Sequence, residues 1–130
     1  MAVAAALVAA GKHVYVPFFG AHSRVDLVFE DDVSFHRVQC KTSRLIGQVV
    51  AFNTCSNTKN VRKDYRGEAD FFGVYSPELK RVFLVPVDEV PFRAGHLRLG
   101  PARNGQAKGI RWARDYLLDA TNNEAAIMDP

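Results

Sequence analysis

Short apolar runs separated by polar turns set the pattern of this chain, and most of them read as strands. Residues 2–10 are the exception. They are all Ala, Val or Leu and are closed by Gly11 at a C-cap position, which predicts a short helix. A helix of that length is marginal in water and needs a sheet to pack on. "HVYVPFF" (13–19) and "RVDLVFE" (24–30) predict two strands joined by a Gly-containing turn, and "DD" at 31–32 turns the chain into a third, "VSFHRVQCKTS". "QVVAFNTC" (48–55) predicts a strand after a short connection through Gly47, and the polar, basic stretch at 56–66 reads as the one long loop. "DFFGVYS" (70–76) and "RVFLVPV" (81–87) flank a "PELK" turn as a hairpin. After them "VDEVP" predicts a helical turn, "HLRLG" a short strand, and 109–120 a C-terminal helix. This order predicts an α/β (α+β) fold with one mixed central sheet flanked by helices. Residues 1–120 would form that domain and 121–130 an acidic tail.

At 130 residues, 48% of them hydrophobic, the chain can bury one core without disulfide or metal staples. The net charge of +3 hides an uneven layout: six Lys/Arg and no acid from Arg93 to Arg114, then four acids and no base. A second basic cluster holds Lys59, Arg62, Lys63 and Arg66. Local basic surface suits a polyanion; the alternative is a solvated face. Cys40 and Cys55 sit in strand-like runs with no metal-ligand spacing, so buried reduced thiols are expected. "MAVAAALVAAG" resembles the apolar part of a signal peptide but has no basic leader and runs straight into a strand. No run approaches the ~20 apolar residues of a membrane span. A cytoplasmic protein is expected.

The anomaly lies in "RVDLVFEDDVSFHRVQCKTS" (24–43). Strands deplete Asp, yet Asp26 stands within an apolar strand, and Gln39 and Lys41 follow two residues apart on the next. Strand side chains alternate, so Arg37, Gln39 and Lys41 share one face while Val38 and Cys40 share the other. Pairing about the Asp31–Asp32 turn brings Asp26 near the level of residues 37–39. On these residues alone the trio is either a satisfied polar cluster or an active site. As a site it suits Mg²⁺, a hard ion that takes oxygen ligands and keeps several waters. The Asp26 carboxylate, the Gln39 amide and the Cys40 carbonyl could hold such an ion, which would activate water and neutralise charge on a phosphodiester. Lys41 would stand beside the attacked phosphorus.

The words "GKHVYVPF", "VDLVFE", "RVQCKTSRL", "DYRGEADFFGVYSPE", "VFLVPVDEVP" and "ARNGQAKGIRWARDYLLD" resemble, in order, those of the PD-(D/E)xK nuclease superfamily. They cover about Gly11 to Asp119 and are most similar to the branch of group I intron-encoded homing endonucleases, where Gln replaces the usual acid. The resemblance implies an α–β–β–β–α–β core with Asp on the second strand and (D/E)-x-K on the third. It also implies Asp26, Gln39 and Lys41 as catalytic residues, Mg²⁺ (with Mn²⁺ as a substitute) as cofactor, double-stranded DNA as substrate, and a homo-oligomer, dimer or tetramer. One departure is expected to matter. Family members usually carry a metal-holding glutamate on the first helix, and this helix has no acid. Either the natural start lies upstream or the site is one carboxylate short, with Glu68 or Asp70 as substitutes or, alternatively, as ordinary surface acids.

The DNA-facing candidates are Lys59, Arg62, Lys63 and Arg66 in the basic loop, Arg103, Asn104, Gln106 and Lys108 ahead of the last helix, and Arg111 near its start. Amides can pair with adenine edges, and Arg can read guanine or bind phosphate. Asn104 and Gln106 could instead brace the last helix, with Trp112 and Tyr116 on its packing face. A small domain needs two copies to read a long site, and the first helix or the "DFFGVYS" hairpin could supply the interface. Besides the homing-type endonuclease, the sequence leaves open a DNA-binding protein on a degenerate nuclease fold and a junction-resolving or defence nuclease.

Overall fold

The computed structural model describes residues 2–19, 25–58, 61–64, 67–91, 93–101 and 109–118, without the side chains of 56–58 and 61–64. Helix α1 spans Ala2–Ala9. Alanine is the best helix former, and Gly11, at φ +85°, ends the run in the left-handed conformation. The Gly11 N–H donates to Val8 O and the Lys12 N–H to Leu7 O, a paired closure that uses up two carbonyls of the last turn. Among the described residues ten strands follow: β1 (His13–Tyr15), β2 (Leu27–Glu30), β3 (Phe35–Thr42), β4 (Arg44–Ile46), β5 (Val49–Asn53), β6 (Cys55–Thr58), β7 (Val61–Asp64), β8 (Phe71–Ser76), β9 (Arg81–Pro86) and β10 (Ala94–Arg98).

The central sheet is five-stranded and mixed, in the order β1-β2-β3-β8-β9, with β3 and β8 parallel. One face carries α1, whose Val3 and Leu7 pack with Leu27, Phe29, Val38 and Val82. The other face buries Phe72, Val74, Phe83 and Val85 against Val50, Phe52 and Leu97. Those three belong to a three-stranded antiparallel sheet of order β10-β5-β4, so strands cover this face where a helix was expected. Gly73 brings α1 close: a Cβ there would lie 2.5 Å from Val3 Cγ1.

The β2–β3 turn is closed by Asp31. Its Oδ1 accepts the N–H groups of Val33 at 2.8 Å and Ser34 at 2.9 Å, and its Oδ2 meets His36 Nε2 at 2.7 Å. The polar stretch expected to be a loop contains a two-stranded ribbon, β6–β7, with Asn57 opposite Arg62. Its residues lack the apolar alternation that marks a strand. β4, which no apolar run predicted, pairs with β5 through the Gly47 turn.

The expected C-terminal helix over 109–120 does not form within the described residues. Trp112 bridges to Arg98, residues Ala113–Asp115 make a 3₁₀ turn, and Leu117 bridges to Phe83. Two hydrogen bonds explain the outcome: Leu84 N–H donates to Tyr116 O and Leu118 N–H to Val82 O. The free edge of β9 offers partners to an extended chain, and the segment takes them. Trp112 and Tyr116 therefore do not share a helix face, and the helix that Asn104 and Gln106 were to brace is absent among the described residues. "DFFGVYS" becomes β8, flanked on both sides by β3 and β9, so it has no edge to offer a second copy.

Candidate active site

Asp26 stands immediately ahead of β2. Its N–H donates to Val38 O at 2.9 Å, although the register partner of Val38 is Leu27. Two residues thus stand against one of β3, the two-to-one count of a β-bulge, a device that re-aims a side chain at the end of a ladder. The result is specific: Cys40 N–H donates to Asp26 Oδ2 at 2.7 Å. The carboxylate takes the place a backbone carbonyl of the neighbouring strand would fill, one residue beyond the expected level of 37–39. Oδ1 is not engaged by this bond.

Val38 and Cys40 both turn their backbone groups toward β2, as alternate residues of a strand do. Their side chains pack on the α1 face, Val38 fully buried and Cys40 at its margin. Burial, reinforced by the Asp26 carboxylate, pushes the Cys40 thiol up to about 12. It is no nucleophile at neutral pH. Both cysteines are unbridged thiols, but they are half-buried where the sequence predicts burial.

Gln39 and Lys41 project to the opposite face, where their parallel partners on β8 are Phe72 and Val74. Both neighbours are fully buried, so the polar pair borders an apolar, water-poor floor. Gln39 Oε1 is buried and has no hydrogen-bond partner. Leaving a buried acceptor unmet costs about 1–3 kcal/mol. An uncoordinated amide oxygen next in sequence to the residue that holds the Asp26 carboxylate is a donor set a hard cation fits. Among the described residues no group of three or more His, Cys, Asp or Glu could hold a metal. A cation here would rest on one carboxylate, one amide oxygen and the Cys40 carbonyl, with water and phosphate completing its shell.

Arg37 lies on the same face, two residues ahead of Gln39. Its N–H and Nε donate to Asp70 Oδ2 at 2.8 and 3.2 Å, its Nη2 donates to Asp70 Oδ1 at 3.0 Å, and its Nη1 donates to Gly67 O at 3.1 Å. Asp70 is thereby committed to Arg37, which holds its carboxyl below the usual range. That engagement removes it as a stand-in for a missing metal ligand. Glu68 is an exposed residue of the turn before β8, and α1 carries no acid in its first turn.

The arrangement matches a known family. The profile of the PD-(D/E)XK endonucleases covers residues 1–119. The chain belongs to the PD-(D/E)XK endonuclease family. Among solved structures it is similar to that of a bacterial homing endonuclease, I-Ssp6803I, with a TM-score of 0.62 and 23% identity over 90% of this chain and 79% of that one. This second likeness is one of fold. No curated protein sequence matches the chain.

In this member of the PD-(D/E)XK endonuclease family, Asp26 and Cys40 are joined directly, and Gln39 and Lys41 follow from strand alternation. The side chains of Arg62 and Lys63, on β7, lie outside the described set, as do Lys59, Arg66, Arg103, Asn104, Gln106 and Lys108. Arg111 is half-buried; its carbonyl accepts the Arg98 N–H, and with His96 and Arg98 it lines a cleft of about 360 Å³. The Arg37–Asp70 pair had no signal in sequence beyond the shared face of residues 37, 39 and 41. No described helix is long and apolar enough to cross a membrane.

Proposed function

We propose that this endonuclease hydrolyses phosphodiester bonds of double-stranded DNA with a divalent metal, Mg²⁺ or Mn²⁺, and is homing-endonuclease-like. The observation that carries the reading is the buried, unpartnered Gln39 Oε1 beside the Asp26–Cys40 hydrogen bond. Asp26, Gln39 and the Cys40 carbonyl would hold the ion. When bound, a divalent cation supplies Lewis-acid stabilisation of the phosphoryl oxygens. Lys41 places an ammonium at the attacked phosphate, where it offsets charge building as water adds and the alkoxide leaves. Phe72 and Val74 lower the local dielectric, which strengthens that interaction. Cys40 N–H fixes Asp26 before substrate arrives, so little reorganisation is needed.

A homo-oligomer fits an enzyme that cuts both strands. Tyr15, Val16, Phe18, Phe19 and Phe35 are exposed around the β1 edge, Phe18 at 91%, and such apolar exposure marks an interaction surface. The competing reading, a DNA binder that does not cleave, is favoured by the absence of an acid on α1. Plasmid nicking with Mg²⁺ or Mn²⁺ separates the two. Cleavage that disappears in Lys41→Ala and Asp26→Asn, with duplex binding kept, is the expected result. Salt-sensitive binding with no nicking by the unaltered chain would sink the enzyme reading. A preference for branched DNA over any sequence would move the role from homing to junction resolution.

A further inference from the structure

Arg37 is more than a brace between β3 and β8. A solvent-exposed ion pair contributes little to stability, and the Arg37 and Asp70 side chains are 44% and 37% exposed. Yet all three guanidinium nitrogens are engaged, by two partners. Nε and Nη2 dock side-on against the Asp70 carboxylate, and Nη1 reaches Gly67 O. Arg has five N–H donors, so among the described residues two remain without a protein acceptor, one on Nη1 and one on Nη2. The backbone is tied as firmly: Arg37 N–H donates to Asp70 Oδ2 while Asp70 N–H donates to Arg37 O at 2.9 Å.

Position gives this locked cation its meaning. Even-numbered residues of β3 pack on the α1 side, with His36 against Phe29 and Phe71. Arg37 therefore lies in the row of Gln39 and Lys41, about 7 Å before Gln39 along the strand. A planar, partly exposed fork with one uncommitted N–H on each Nη is matched to a phosphate, and bidentate guanidinium–phosphate pairs are among the strong charge-assisted contacts. We propose that Arg37 is a substrate-binding residue that grips a backbone phosphate next to the scissile one, with Asp70 as the positioning residue that holds its guanidinium ready. This rests on the endonuclease reading above and adds to it the contact that registers the DNA strand along β3. Gly67–Asp70 lies in sequence between β7 and β8, so the same clamp ties the turn before β8 to the catalytic strand.

The test is the salt dependence of duplex binding without divalent metal, for the full chain and for Arg37→Ala, Arg37→Gln and Arg37→Lys. Each phosphate neutralised contributes about 0.9 to the slope of log affinity against log salt. The magnitude of the slope should fall by about that amount in Arg37→Ala and Arg37→Gln, on any duplex sequence, and be kept in Arg37→Lys with weaker binding. Arg37→Gln retains an amide for Asp70, so it serves if Arg37→Ala fails to fold, as judged by its unfolding midpoint. A purely structural brace would not move the slope. Unchanged slopes in both neutral variants, with the unaltered chain binding and nicking normally, overturn this inference alone. An unaltered chain that binds no duplex at any salt overturns it together with the endonuclease reading.

Discussion

Cys40 N–H donates to Asp26 Oδ2 at 2.7 Å, reaching from β3 to the residue just ahead of β2. A charge-assisted hydrogen bond from the backbone holds a carboxylate more rigidly than a side-chain partner would, because the donor cannot rotate away. The same bond sets a negative charge beside a half-buried thiol. Asp26 is thus held in one orientation, and Cys40 is kept inert beside it.

That second effect can be measured directly. With its pKa raised to about 12 by burial and then by Asp26, Cys40 has almost no thiolate at pH 8. Thiolate is the reacting form, so alkylation of native Cys40 should be at least about a hundredfold slower than in the urea-unfolded chain. Asp26→Asn removes the carboxylate and should speed the native reaction several-fold. Mass spectrometry of alkylated peptides gives both rates. Equal rates with and without the Asp26 charge would mean that burial alone protects the thiol.

Gln39→Glu should trade stability for metal affinity. Its added carboxylate would be buried where Oε1 now has no partner, a loss of about 1–3 kcal/mol in EDTA. With Mg²⁺ present a second charged oxygen strengthens binding, so the variant's unfolding midpoint should rise more steeply with Mg²⁺ than that of the unaltered chain. A metal-independent midpoint in both proteins would remove Gln39 from the ligand set. Thermal unfolding in a Mg²⁺ series supplies the readout without any cleavage assay.

Gln39 and Lys41 were legible in sequence because strand alternation places i and i+2 on one face whatever the fold around them. The Asp31 turn likewise fixed which strand faces Asp26. The bulge at Asp26 was not legible, since it rests on the Asp26 N–H meeting Val38 O while Leu27 keeps the register with Val38. The Arg37–Asp70 pair links residues 33 apart across a parallel ladder, and no local pattern encodes such a partner. The segment around Trp112 carried a helix-like spacing that the open edge of β9 overrode. β6 and β7 were missed because a polar ribbon shows no apolar alternation.

Asp31 carries a prediction about acid stability. Its carboxyl falls from 3.8 to about 2, chiefly through the N–H groups of Ser34 and Val33, then through His36. A depressed carboxylate contributes stability that is present above its unfolded pKa and lost as pH falls through the folded one. The Asp31 contribution should therefore vanish between about pH 4 and pH 2. Asp31→Asn keeps an oxygen for the turn but cannot titrate. Its urea-unfolding midpoint should fall less than that of the unaltered chain over this window, and parallel curves would show that the turn is indifferent to the charge.

Gly73 lies opposite Cys40 in the parallel ladder, directly beneath α1. An added Cβ would meet Val3 Cγ1 at 2.5 Å and Val38 Cγ1 at 3.1 Å. Val38 is fully buried in mid-sheet and cannot yield, whereas Val3 rides on a short helix. Gly73→Ala should therefore push α1 outward and destabilise by about 1–3 kcal/mol, the usual range for overpacking. Val3→Ala removes the closest clashing atom but by itself opens a void. If the clash at Val3 dominates, the double variant will be more stable than the sum of the two single losses, and a double-mutant cycle by urea unfolding measures the coupling. Additive losses would place the strain at Val38 instead, inside the strand that carries Gln39 and Lys41, and cleavage would then fall along with stability.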